Sequence, residues 1–280
     1  MTCYFRHITA LAASALLFVA QSVSAAPIWQ VNPLGTGPNG AIPLSAASVG
    51  GVGFVQIIPY ADASNGFQFI EHGAYQLQQP GTGTAFSGAD LTVTYTVGGS
   101  GNFLDPFALR FTSGSINLYA DTTHDFATDV AHYGADNGTL IARFSVFDGG
   151  INATGLVSVH ALVTTGSLLA GYLFSENGLD LANDMGTSME LQVFNQTTDP
   201  DPLLVAEIVC GLAGYAGTGC EGAPDEFVNS PLAFTVSDGG FASVIAGVPE
   251  PGSIALLLSG LIMLACSVRP GQRRQTLMRT

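Results

Sequence analysis

The chain has 280 residues, of which 47% are hydrophobic and only 10% are charged, and it contains no lysine. A formal net charge of −14 excludes a nucleic-acid-binding surface, because phosphate groups are bound by clustered basic side chains. The high hydrophobic fraction excludes a disordered acidic tail, and the shortage of strong helix formers argues against a helical bundle.

Residues 1–25 predict a secretory signal peptide. A short polar start precedes an apolar run over residues 8–20, and residues 23–25 supply small side chains at a cleavage site. Cleavage after residue 25 is favoured, because cleavage one residue later would leave Pro27 at the new N-terminus. The alternative is an uncleaved membrane anchor, for which the apolar run is short.

The last segment, residues 248–280, has the three parts of a second export signal. They are a helix-breaking motif, an uncharged apolar run over residues 253–268 and a basic stop. The motif is Val248, Pro249, Glu250 and Pro251, and the basic stop is Arg269, Arg273 and Arg274. At about 1.5 Å per residue the run predicts a short transmembrane helix with a cytoplasmic C-terminus, and a buried core helix is the alternative.

The sequence VPEPGSIALLLSGLIML, followed by arginines, resembles the PEP-CTERM sorting signal of exported proteins in Gram-negative bacteria. The resemblance covers residues 248–274. It implies recognition by exosortase, a membrane transpeptidase, with cleavage near the Pro-Glu-Pro motif. It also implies an inner-membrane intermediate and later delivery to the cell surface or to an extracellular matrix of exopolysaccharide.

Residues 26–247 predict one all-β extracellular domain. The domain carries 20 acidic and two basic side chains, which gives it a net charge of −18. Residues 91–97, LTVTYTV, alternate between apolar and threonine side chains, as a half-buried strand does, and further strand candidates include 156–163 and 203–209. Glycine-rich turns separate the candidates, and this spacing favours an antiparallel β-sandwich.

Cys210 and Cys220 flank a glycine-rich loop and are candidates for a disulfide. An oxidising compartment after export favours their pairing, which would stabilise the fold by about 2.5 to 3 kcal/mol on a chain-entropy argument. Free thiols and metal ligands are the alternatives, although no histidine lies close enough in sequence to suggest zinc.

The densest polar cluster contains Asp121, Asp125 and Asp129, which are calcium candidates because calcium prefers oxygen ligands. Their spacing differs from that of an EF-hand loop, and solvated, turn-capping aspartates are the more common alternative. The expected cofactor is therefore none, with calcium as the one candidate.

The sequence contains no G-x-S-x-G nucleophile motif and no H-E-x-x-H zinc motif, so we predict that the protein is not an enzyme. Abundant carboxylates leave a polysaccharide-active enzyme open as an alternative. Aromatic side chains can stack on sugar rings, although most fill cores. The candidates for stacking are Trp29, Tyr60, Tyr75, Tyr119 and Tyr215.

The body also resembles flocculation-associated PEP-CTERM proteins. The similarity lies in WQVNP at residues 29–33, FQFIEHGAY at 67–75, FTVSDGG at 234–240 and the cysteine pair. It implies an exported structural or adhesive role in exopolysaccharide-dependent flocculation or biofilm, and it supplies no catalytic residues. A calcium-dependent carbohydrate-binding module is the first alternative, and a secreted polysaccharide-active enzyme is the second.

Overall fold

The computed structural model describes residues 28–62, 65–128, 132–184 and 186–247. Over these ranges the chain is mainly β and forms eleven strands. They are β1 (Trp29–Val31), β2 (Ile42–Leu44), β3 (Ala47–Pro59), β4 (Gly66–Gln78), β5 (Asp90–Asn102), β6 (Asp105–Asp121), β7 (Thr139–Ile151), β8 (Val157–Val163), β9 (Leu173–Ser175), β10 (Ser188–Thr197) and β11 (Ala233–Ile245).

Eight of these strands form one closed antiparallel barrel, in the order β10-β11-β3-β4-β5-β6-β7-β8. The mainly β, antiparallel prediction is confirmed, but the predicted sandwich of two sheets is wrong. The reason is that β11 hydrogen-bonds to β3, with Ala233 opposite Gln56 and Ala242 opposite Ala47. Inward and outward side chains alternate in the same way along a strand of a sandwich and a strand of a barrel. Only the pairing of β11 with β3 therefore distinguishes the two folds.

The barrel interior is apolar and continuous with a small second sheet of order β2-β1-β9. Trp29 and Leu173 of this sheet are fully buried in the same core as Leu77 and Met189 of the barrel. Because β2 leads into the start of β3, the small sheet covers the end of the barrel where β3 and β10 begin. This end of the barrel is therefore closed.

A second apolar cluster lies outside the barrel, against β3 and β4. It is formed by a short helix, α1 (Pro202–Leu204), which continues as a π-helix over Val205–Leu212, and by the loop that follows. The disulfide predicted between Cys210 and Cys220 is confirmed and closes this loop. The ring of Tyr215 within the loop packs edge-on against Phe54 of β3, with their centroids 5.3 Å apart.

In the part of the chain that the structure describes, no helix has the length and apolar character to span a membrane. The predicted signal peptide 1–25, the sorting motif, the apolar run 253–268 and the basic stop all lie outside the described residues.

Candidate functional site

Two carboxyl groups are buried side by side inside the barrel. Glu71 of β4 is 5% exposed and Asp238 of β11 is 6% exposed. The hydroxyl of Tyr95 lies 2.9 Å from Oε1 of Glu71 and 3.2 Å from Oδ2 of Asp238, so that it bridges the two groups. We call Glu71 and Asp238 the carboxyl pair.

Two further side chains complete the cluster around the carboxyl pair. The hydroxyl of Tyr75 donates to Oδ2 of Asp238 at 3.1 Å, and the rings of Tyr75 and Tyr95 stack with centroids 4.6 Å apart. The Nδ2 group of Asn195 donates to Oε1 of Glu71 at 3.4 Å. Oδ1 of Asp238 is buried and has no hydrogen-bond partner among the described residues.

The alternation of inward and outward side chains, together with two glycines, makes room for the rings of Tyr75 and Tyr95. Glu71, Gly73 and Tyr75 occupy successive inward positions of β4, and Tyr95 occupies an inward position of β5. A Cβ atom on Gly73 would lie 2.5 Å from two ring carbons of Tyr95, and one on Gly53 would lie 2.5 Å from its hydroxyl. The glycines therefore let the Tyr95 ring lie directly against the strand backbone.

Burial controls the protonation of the carboxyl pair. Desolvation, together with repulsion from Asp238, raises the pKa of Glu71 to about 8, against the lowering effect of the Tyr95 hydrogen bond. Desolvation also raises the pKa of Asp238 to about 7, although both tyrosine hydroxyls lower it. A hydroxyl has one proton to donate, so Tyr95 satisfies both neighbours when one carboxyl is itself protonated. Near neutral pH the carboxyl pair therefore retains a proton.

An apolar cavity of about 210 Å³ lies beside the carboxyl pair and opens at the end of the barrel that the small sheet does not cover. Aliphatic and phenylalanine side chains line it, and its polar lining groups are Glu71 and Asn195. The wall residues nearest the opening, Ile57, Phe67 and Phe234, are only half-buried. Eight-stranded barrels are just wide enough to be filled by their own side chains or to hold one small ligand.

The rim of this opening is also apolar. The β5–β6 hairpin carries Phe103, Leu104 and Phe107, all of which are exposed, and Tyr60 is exposed at the end of β3. This hairpin is joined to the β3–β4 hairpin where the backbone N–H of Phe103 donates to the carbonyl of Asn65 at 2.9 Å. An apolar molecule would thus meet apolar side chains before it enters the cavity.

Of the aspartates predicted as calcium ligands, Asp121 caps a turn and Asp125 makes a hydrogen bond to another side chain. Asp121 accepts hydrogen bonds from the backbone and hydroxyl of Thr123, and Oδ2 of Asp125 accepts from Asn137 at 2.7 Å. Burial acts to raise the pKa of Asp121, but hydrogen bonds, chiefly from Thr123, hold it below its usual value. Asp129 lies outside the described residues. Among the described residues, no three or more His, Cys, Asp or Glu side chains form a group able to hold a metal ion. Calcium binding stays a prediction.

The aromatic residues that were candidates for stacking on sugars differ in how exposed they are to solvent. Trp29 and Tyr75 are buried, so these two candidates do not form a stacking surface, and the favoured alternative that they fill the core holds for both. Tyr119 and Tyr215 are half-buried, while Tyr60 is exposed.

Sequence reasoning missed the carboxyl pair, although one signal for it was present. In residues 67–75 the inward positions are Phe67, Phe69, Glu71, Gly73 and Tyr75, so an acidic side chain occupies a core position of a strand.

A scan against models of known protein families, a search of curated proteins and a search of solved structures found no match to the chain.

Proposed function

We propose that this chain is an exported, non-enzymatic protein whose barrel binds one small apolar molecule. The observation that carries the proposal is the apolar cavity, which is open at one end of a barrel whose other end is closed. Ligand sites of this kind are concave, mostly apolar and supplied with a few polar groups that orient the ligand. Glu71 and Asn195 supply such groups here.

A binding role fits the surroundings of the carboxyl pair better than a catalytic role. Its hydrogen-bond partners are two phenols and an amide, and these do not activate a nucleophile. The cavity walls present aliphatic and phenylalanine side chains, whereas a polysaccharide-active enzyme needs groups that hydrogen-bond to sugar hydroxyls.

Filling the cavity should abolish binding. Val157 lines the cavity from β8, and we expect Val157→Trp to weaken binding of the neutral fluorescent probe N-phenyl-1-naphthylamine at least tenfold. The matched control is Leu162→Trp, because Leu162 lies on the same strand with its side chain outside the barrel. Fluorescence titration of the three proteins tests this. A wild-type protein that fails to bind the probe, or an unaffected Val157→Trp variant, would contradict the proposal.

The terminal segments support a proposed route to the cell surface. The resemblance of residues 248–274 to a PEP-CTERM signal supports processing by exosortase at an inner-membrane intermediate, and a disulfide fits an oxidising compartment. The proposed destination is the exopolysaccharide matrix of a Gram-negative bacterium, with an adhesive role in flocculation or biofilm. The intact mass of the exported protein tests both cleavages, and normal flocculation of a deletion strain would contradict the adhesive role.

A second candidate function, carbohydrate binding, is favoured by a patch of exposed aromatic side chains on the outer barrel surface. Phe194 of β10 and Phe241 of β11 are 55% and 54% exposed and occupy diagonal outward positions. Beside them Gly239 pairs with Gly50, and both glycines face open space. Gln76 lies opposite Gly50 on the next strand and offers an amide. Aromatic faces beside amides, without a charge between them, suit the apolar faces and hydroxyls of a sugar polymer.

The double variant Phe194→Ala/Phe241→Ala should lose retention on the exopolysaccharide of the producing cells, by roughly tenfold or more, because stacking supplies the contact. Phe147→Ala is the control, since Phe147 is equally exposed on a different strand. Co-sedimentation with and without a calcium chelator measures retention and its calcium dependence together. Equal retention of the double variant and the control would exclude this patch.

A further inference from the structure

The polar end of the cavity lacks a positive charge, and this feature points to the kind of ligand it takes. The carboxyl pair places two acidic groups within reach of one hydroxyl. Both arginines in the described part of the chain, Arg110 and Arg143, are exposed on the outside of the barrel. Buried carboxylates are normally paired with a cation, because an isolated buried charge is costly. In the empty barrel the retained proton therefore takes the place that a cation would otherwise fill.

A second, smaller space adjoins the carboxyl pair. It has a volume of about 20 Å³, and its polar lining groups are Glu71, Tyr75, Tyr95 and Asn195. Such a volume holds one water-sized group. The space shares Glu71, Phe111, Val157 and Asn195 with the apolar cavity, so a molecule lying in the cavity can extend one small polar group into it.

We propose that the ligand is an apolar primary amine, whose ammonium group occupies the small space against Glu71 while its hydrocarbon part fills the cavity. This inference rests on the proposed function of the barrel as a binding module. An ammonium group is compact and donates three hydrogen bonds, which suits the oxygens of Glu71 and Asn195. The neighbouring tyrosine rings also attract a cation.

Other ligand chemistries fit less well. A fatty acid would bring a third carboxyl group to the carboxyl pair, and like charges repel in a site of low dielectric constant. A metal ion in the small space would meet four polar side chains, Glu71, Tyr75, Tyr95 and Asn195, whereas calcium requires six to eight oxygen ligands. A neutral alcohol would bind through its hydrocarbon part but would bring no positive charge to pair with Glu71.

The proposal includes a proton balance. The amine arrives as an ammonium ion and keeps its proton, while the carboxyl pair releases the proton that it holds in the empty barrel to solvent. Binding at neutral pH should therefore release up to about one proton per ligand, since the ammonium favours the ionised carboxyl pair. Calorimetry in buffers of different ionisation enthalpy measures this release.

The test compares three displacers of equal chain length: hexylamine, hexan-1-ol and hexanoate. With the full mature protein and N-phenyl-1-naphthylamine as the reporter, hexylamine should displace the probe at a concentration at least tenfold lower than hexan-1-ol, and hexanoate should be the weakest. In Glu71→Gln the preference for hexylamine over hexan-1-ol and the proton release should both disappear. Glu190→Gln, outside the barrel on β10, is the matched control and should keep both.

The outcomes separate the two proposals. Equal displacement by hexylamine and hexan-1-ol, with the probe bound normally, would overturn the amine proposal and leave the binding barrel intact. No binding of the probe by the wild-type protein, whose folding is verified by circular dichroism, would overturn both. A Glu71→Gln variant that keeps the full preference for hexylamine would also overturn the assignment to the carboxyl pair. If Glu71→Gln fails to fold, Asp238→Asn takes its place and should reduce both the preference and the proton release.

Discussion

Replacing Gly73 with alanine is expected to lower the free energy of unfolding by about 3 to 5 kcal/mol. The new Cβ atom would overlap the ring of Tyr95, two of whose carbons lie 2.5 Å from the Cβ position. Tyr95 would have to leave its place and give up its contacts with Glu71 and Asp238. Glu71 and Asp238 would then keep only Asn195 and Tyr75 as donors, and this loss of a hydrogen-bond donor adds a desolvation cost to the steric one. Urea denaturation monitored by circular dichroism measures the loss.

Gly50→Ala provides a matched control for Gly73→Ala. Gly50 lies on the neighbouring strand β3, but its Cβ position faces outward and meets no atom within 4 Å. We expect the control to be neutral or slightly stabilising, because alanine restricts the unfolded chain more than glycine does. Similar stabilities for the two variants would show that the Tyr95 ring is not held against the β4 backbone in this way.

The protein should be most stable in acid and should lose stability as the pH rises towards 8. Folding raises the pKa of Glu71 from 4.5 to about 8, so the folded state binds a proton that the unfolded state has released. This stabilisation is fully present below about pH 4.5 and is lost as the pH rises through the folded pKa. We expect a decrease on the order of 2 to 4 kcal/mol in the free energy of unfolding between pH 5 and pH 9.

Glu71→Gln should remove the contribution of Glu71 to this pH dependence, because glutamine cannot ionise and its carbonyl still accepts from Tyr95. Asp238, whose pKa is also raised by burial, keeps its own contribution. The variant should be more stable than the wild type at pH 9. Glu190→Gln controls for the general reduction of negative charge, since Glu190 lies outside the barrel. Urea midpoints at pH 5, 7 and 9 provide the measurement. Parallel curves for wild type and Glu71→Gln would mean that Glu71 is ionised in the folded barrel.

The sequence predicts strands well where alternation is strict and poorly where an apolar run is continuous. Residues 91–97 form part of β5 with the predicted faces, Leu91 and Val93 inward. Residues 203–209, predicted as a strand, are helical instead, because a short apolar run has no periodicity that separates the two states. A helix-start signal was present: Asp201 accepts from the backbone N–H of Leu204, and Pro202 follows it.

The candidate site could be predicted only in part, because its members are close in space but distant in sequence. The alternation of side chains predicts that Glu71 and Tyr95 lie on the inner faces of their strands. It does not predict which strands lie close enough for their inner side chains to make contact. Asp238 reaches Tyr75 across 163 positions of the chain, through the pairings of β11 with β3 and of β3 with β4. The glycines at 53 and 73 have a clear role only once the Tyr95 ring is known to lie over them.

Closure of the barrel by β11 and β3 also constrains how the chain folds as it is made. The two strands stand near opposite ends of the domain, and contacts between such distant segments form slowly. Until β11 has emerged, β3 and β10 present bare edges that can hydrogen-bond to another chain. A polypeptide cut short before residue 233 would thus be left as an open sheet prone to aggregation, so the last strand of the domain also protects it against self-association during folding.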